Sequence, residues 1–196
     1  MKFTKIPESA FDEIQLNAGI LLKTFAPETA TFEPTGILGA TSGGINFEAV
    51  PTFKDFGEDI DNCPKNMKEL KKLESWEVKL SGSFVTVTAD SAKLMVGAAD
   101  SAKAGTADKI TPRNDIKDAD FSDIWLVGDY SGKNGDKNGG FIAIHMLNAL
   151  STGGFKLQTA DKDKGKMSFE FTGHYSMSAQ DTVPFEIYIK KGAEEA

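Results

Sequence analysis

The chain has 196 residues, 40% of them hydrophobic and 14 of them Phe, which is enough material for one packed domain and excludes wholesale disorder. Acidic residues outnumber basic ones 29 to 22, the net charge is −7, and Arg113 is the single arginine, so a phosphate-gripping nucleic-acid surface is not expected. The one cysteine, Cys63, allows neither an internal disulfide nor a multi-cysteine zinc site and suits a reducing cytoplasm.

In chain order, residues 1–13 read as an arm with weak helical potential; they carry lysines but no apolar run of the kind that marks a signal peptide. Nowhere does an apolar run approach the roughly 20 residues of a membrane-spanning helix. Residues 14–23, with Ile20, Leu21 and Leu22, suit an early strand. Residues 26–39 hold Pro27 and Pro34 in loop-like surroundings. From 44 to 56, Ile45, Phe47, Ala49 and Phe53 alternate with polar neighbours, and Pro51 predicts a bulge or an edge because it donates no ladder bond.

A long charged loop is expected over 57–74, within which Asn62 and Pro64 could open a short helix. Residues 75–88 read as a strand whose phase slips near Gly82, which implies a bulge. Over 90–98 the stripe Leu94, Met95 and Ala98 predicts a helix capped by Asp90 and lying on a sheet. Residues 99–120 form a long, small-residue-rich connection without clear periodicity.

Further strands are expected at 124–130, 141–150, 155–159, 166–176 and 183–189, with a glycine-rich hairpin loop over 131–140. The 166–176 pattern is the clearest: Met167, Phe169, Phe171 and Tyr175 alternate with polar residues, as a strand with one buried face requires. Residues 192–196 read as a frayed end. The whole, residues 1–196, is expected to be a single mainly β domain.

Chemistry is hard to find in these residues. The segment 134–139 resembles half a calcium loop, but the twelfth position of that count is His145 rather than a bidentate Glu. The acidic run Asp55, Glu58, Asp59 and Asp61 meets a cation-site pattern only loosely and precedes the lysines Lys65, Lys68, Lys71 and Lys72. His145 and His174 fall in strand patterns, and no Gly-x-Ser-x-Gly or phosphate-loop signature accompanies them. No catalytic residue, cofactor or metal ligand is therefore assigned, and the chain is not read as an enzyme.

Three blocks carry a family resemblance. They are Gly57-Glu-Asp-Ile-Asp-Asn-Cys-Pro-Lys-Asn-Met-Lys-Glu-Leu-Lys-Lys, then Gly128-Asp-Tyr-Ser-Gly-Lys-Asn-Gly through Gly139-Gly-Phe-Ile-Ala-Ile-His, and Phe171-Thr-Gly-His-Tyr-Ser-Met-Ser-Ala-Gln-Asp-Thr-Val-Pro-Phe-Glu. Together, over roughly residues 14–189, the chain resembles the major tail protein, or tail tube protein, of long-tailed bacteriophages and prophages. The resemblance implies an antiparallel β-sandwich or half-barrel with one flanking α-helix, assembled into stacked hexameric rings. Double-stranded DNA would pass through the resulting tube without specific binding, and no membrane would be involved.

Its inter-ring loop would fall on 57–74 and its packed helix on 90–98. Partners would be further copies of the chain together with the tape measure, tail terminator and distal tail proteins. The chain would be made in the host bacterial cytoplasm and act in the virion. The order of charge along 55–72 further predicts subunit contacts through Asp55, Glu58, Asp59, Asp61, Lys65, Lys68 and Lys71. Two other readings fit the same residues: a tube protein of a contractile tail or secretion apparatus, and a carbohydrate-binding β-sandwich using Trp76 or Trp125.

Overall fold

The computed structural model describes residues 6–7, 10, 13–130 and 139–192. Most of the 1–13 arm, the loop over 131–138 with its half calcium-loop pattern, and 193–196 lie outside the described residues. Ten strands are present among those described: β1 (Gln15–Leu22), β2 (Thr41–Asp55), β3 (Lys71–Phe84), β4 (Ala99–Ala104), β5 (Ala107–Pro112), β6 (Ser122–Tyr130), β7 (Gly140–Ser151), β8 (Lys156–Ala160), β9 (Asp163–Gly173) and β10 (Phe185–Lys190). One α-helix, α1 (Ala89–Val96), accompanies them. The fold is mainly β, an antiparallel sandwich or half-barrel with a flanking helix.

All the pairings are antiparallel. One layer runs β1-β6-β7-β10 and the other β8-β9-β3-β2. They share a corner at β7, which pairs with β10 through residues 141–146 and with β9 through residues 149–151. The switch of partner sits at Asn148, whose φ of 48° is a left-handed conformation that Asn tolerates better than most residues. Asp123 holds this kink, its Oδ1 accepting the Asn148 N–H at 3.0 Å. Leu147 and Asn148 together oppose the single residue Asp123 on β6, a bulge that redirects the strand.

Between the layers lies a core of Leu21, Val78, Leu80, Phe84, Ile124, Met146, Met167, Phe169 and Phe171. Phe185 on β10 reaches across to Phe47 and Trp76, ring centroids 5.8 and 5.4 Å apart, and so ties the two layers together. The outer face of the first layer carries a second cluster, Leu22, Trp125, Phe141 and Ala143, against which Phe25 packs. This layer is therefore apolar on both faces.

Several sequence expectations are corrected here. The helix is capped by Thr88, not Asp90: Thr88 has extended backbone, its Oγ1 accepts the Ser91 N–H, and Ser91 Oγ accepts the Thr88 N–H. Asp90 instead lies in the first turn, 2.8 Å from Lys23 Nζ. No helix forms at Asn62, which has φ 61° where an N-cap needs extended backbone. The patternless connection 99–120 contains the β4–β5 hairpin, pairing Ala99 with Pro112 through Ala104 with Ala107. β9 ends at Gly173, so His174 and Tyr175 lie beyond the strand. The bulge expected near Gly82 lies opposite it, at residues 42–44 of β2, where Gly43 and Gly44 take positive φ.

Candidate assembly surface

β2 and β3, of 15 and 14 residues, run beyond the core as a hairpin with residues 56–70 at its tip. β2 is an edge strand, as Pro51 implies. Pro51 pairs with Trp76, whose N–H points away from β2 and donates to Tyr175 Oη at 3.0 Å. The pair is thus a non-hydrogen-bonded one, and the ladder loses nothing to the missing proline N–H.

One carboxylate organises the tip. Asp55 Oδ1 accepts the Gly57 N–H at 2.9 Å and Oδ2 accepts the Asn66 N–H at 2.8 Å. These two backbone donors, with Lys71 and Lys65 adding weaker attraction, hold its carboxyl below the ordinary carboxylate range. Phe56 N–H donates to the Leu70 carbonyl at 3.0 Å, and turns continue through Ile60, Cys63 and Leu70. Gly57 is buried, and a Cβ there would stand 2.9 Å from Leu70 Cδ1 and 3.1 Å from Cys63 Sγ. Cys63 donates its thiol to Met67 Sδ at 3.5 Å.

The charged residues singled out in the sequence are therefore split in their roles. Asp55 is used internally. Glu58 meets Lys65 at 3.7 Å and Lys68 meets Glu69 at 3.5 Å, both on exposed side chains where an ion pair stabilises by about 0–1 kcal/mol. Asp59 and Asp61 are exposed on the tip. Lys71 lies over the Phe53 ring at 5.3 Å, and Lys54 and Lys72 both lie over Phe56 at 5.5 Å.

Sequence reasoning missed the apolar character of this element. Phe53, Phe56, Ile60 and Leu73 are each exposed by 50–53%, and Val50, on the opposite face of β2 from Phe53, by 53%. Alternation alone puts Phe53 on the buried face with Ile45 and Phe47. It is exposed because the hairpin has by then outrun the opposite layer. The bulge that leaves Glu74 without a partner then sets Leu73 beside Phe53. β10 shows the same behaviour: Phe185 packs against the core while Ile187 and Ile189, on the same face, are exposed by 50% and 60%.

The other candidates lie elsewhere in the fold. Trp125 is 7% exposed and stacks on His145, centroids 3.9 Å apart and planes 7° apart. His145 also faces Asp123 Oδ2 at 3.2 Å and Glu186 Oε2 at 3.6 Å. Trp76 is partly buried and packs on Phe185, ring centroids 5.4 Å apart. His174 Nδ1 lies 3.2 Å from the Asn148 carbonyl and edge-on to Phe121. Among the described residues no group of three or more His, Cys, Asp or Glu is placed to hold a metal ion. No helix among them is long and apolar enough to cross a membrane. A scan against protein-family models and a search of curated proteins each returned no match.

Proposed function

We propose that this chain is a tail tube protein of a long-tailed bacteriophage or prophage, assembling with copies of itself into stacked hexameric rings. The observation that carries the reading is the β2–β3 hairpin, a projecting element whose apolar side chains are half exposed to solvent. Large apolar side chains left half exposed on both faces of a projecting hairpin suit a contact surface that a neighbouring molecule would cover. The resemblance of the three sequence blocks supplies the identity of the partner, which is the chain itself.

The architecture suits that role. Long edge strands, β2 above all, leave backbone donors and acceptors available to neighbours. A ring requires one surface to meet a different one on the next copy, and a sandwich with distinct layers and ends supplies such pairs. Double-stranded DNA would leave the virion through the central channel. A net charge of −7 favours passage without adhesion, because each lysine facing the channel would add a salt-dependent phosphate contact. The tape measure, tail terminator and distal tail proteins would be the further partners, and assembly would begin in the host cytoplasm.

Negative-stain microscopy combined with mass measurement on the purified chain tests this directly. Rings or tubes with a central hole are expected. A chain that stays monomeric at every concentration and salt condition would refute the proposal. Reversing Lys68 and Lys71 to Glu is expected to shorten the tubes and make their length salt-sensitive, since both lysines are exposed on the hairpin.

A further inference from the structure

His145 stands in the middle of a row that crosses the outer face of the first layer. β6 sets Trp125 directly opposite it on one side, and β10 sets Glu186 directly opposite it on the other. The imidazole lies flat on the Trp125 indole and its side chain is only 15% exposed. Its two nitrogens reach carboxylates of different strands. Nε2 is 3.2 Å from Asp123 Oδ2 on β6, and Nδ1 is 3.6 Å from Glu186 Oε2 on β10. Each carboxylate is held in place by another donor: Asp123 Oδ1 accepts the Asn148 N–H, and Glu186 Oε2 accepts the Tyr188 hydroxyl. Among the described residues Asp123 and Glu186, with Tyr188 one step removed, are the titratable groups that face the ring.

A neutral imidazole carries one N–H. With that proton on Nε2 the ring donates to Asp123 and turns the Nδ1 lone pair toward Glu186, so β10 gains nothing from it. A second proton, on Nδ1, makes both nitrogens donors and sets one cation between two carboxylates. β10 has little else to hold it. Phe185 anchors its start between the layers, but Ile187 and Ile189 are exposed and Tyr188 is only partly buried. A segment with so few buried apolar contacts opens locally, well below the cost of global unfolding. We propose that His145 is a pH-operated clamp on the edge strand β10: the imidazolium ties Glu186 to Asp123 across β7, and the neutral ring releases Glu186 and loosens the strand. The stabilisation is complete while the ring is doubly protonated and is lost as rising pH removes the Nδ1 proton. Imidazoles change charge between about pH 5 and 8. The clamp belongs to the single chain and does not depend on the tube reading.

The Leu147 N–H donates to the Pro184 carbonyl at 3.0 Å, and the alternation of an antiparallel ladder then places the Glu186 and Tyr188 amides in bonds to β7. The test is hydrogen exchange of the full-length chain at about pH 5.5 and about pH 8.5, on either side of imidazole titration. Results are compared as protection factors, which divide out the intrinsic pH dependence of exchange. Protection at Glu186 and Tyr188 is expected to fall about fivefold at the higher pH, the scale of one partly exposed ion pair, while Phe169 and Phe171 in β9 keep theirs. Equal protection at both pH values would overturn the clamp, and so would a fall shared equally by β9. Glu186→Gln keeps the size of the side chain and is expected to abolish the difference; a fivefold fall that survives in this variant overturns the clamp. In Trp76→Phe the indole of Trp125 is the only one left. A stacked imidazolium quenches indole emission, so fluorescence is expected to rise over the same pH range, and emission that stays constant there overturns the proposal as well.

Discussion

Phe171 and Phe53 are both large, both on long strands and both in an alternating apolar pattern, yet they should respond to truncation in opposite ways. Phe171 is fully buried and stacks on Phe169 with centroids 5.3 Å apart. Phe171→Ala removes its transfer free energy and leaves a cavity, a loss of about 3–5 kcal/mol for a core aromatic. In a domain of this size each 1 kcal/mol lowers Tm by about 2–4 °C, so a fall of roughly 6–20 °C is expected. Phe53 is 51% exposed, and its ring contact with Lys71 is a surface one stabilising by about 0.5–1 kcal/mol. Phe53→Ala should therefore change the stability of the single chain by no more than about 1 kcal/mol while sharply reducing sedimentable assemblies. Urea unfolding with a common m-value measures the first effect and sedimentation the second. If Phe171→Ala cost under about 1 kcal/mol, the two layers would not be closed on that ring. If Phe53→Ala destabilised as much as Phe171→Ala, the hairpin would be part of the core and the assembly argument would fail.

The Asp55 carboxyl is held below its ordinary value near 3.8, so its hydrogen bonds to the tip are complete above that pH and are lost as pH falls through the lower folded value. Hydrogen exchange at Gly57 and Asn66 should show protection at pH 6 that disappears in acid, and Asp55→Ala should lack it at every pH; acid-independent protection would contradict the assignment. Gly140 admits no side chain, since a Cβ would stand 2.3 Å from the Tyr130 carbonyl oxygen and 2.5 Å from that of Lys190. Gly140→Ala should thus cost about 3 kcal/mol in urea unfolding, the upper part of the range for overpacking. Arg113 fastens the β4–β5 hairpin: one guanidinium nitrogen donates to both Asp120 oxygens at 2.5 and 2.7 Å, and another donates to the Asp115 carbonyl at 3.2 Å. Nε faces Asp100 Oδ1 at 3.1 Å without the alignment of a hydrogen bond. Lysine keeps the charge but cannot make this planar set of contacts, so Arg113→Lys should raise amide exchange across 99–112 with little change in β6 or β7. Unchanged exchange there would refute the fastening role.

Where one physical rule governed a segment, its structure was legible from the residues. Met167, Phe169 and Phe171 alternate because β9 has one face on the core, and all three are buried. Pro51 announced a bulge or an edge strand because a proline nitrogen can only face away from a ladder, and β2 is an edge strand. The cap of α1 was misplaced by two residues for a local reason. Both Thr88 and Asp90 can cap, and Thr88 prevails because Ser91 stands three residues on to complete the reciprocal pair. The β4–β5 hairpin was invisible because only Ala99 is buried in either strand, so its sequence carries no period of two.

The candidate surface was half legible. Its charges stood out as a run of acids followed by lysines. Within the single chain Asp55 turns inward, while Glu58 pairs with Lys65 and Lys68 with Glu69 on exposed side chains. Its apolar side chains were hidden, because alternation reports which residues share a face and not whether anything covers that face. Ile45 and Phe47 lie over the opposite layer; Phe53 and Leu73 lie beyond its end. On the proposed reading, a strand pattern that outlasts its own core marks a face kept for another molecule. Ile187 and Ile189, which continue the face of Phe185 past the core on β10, carry the same mark.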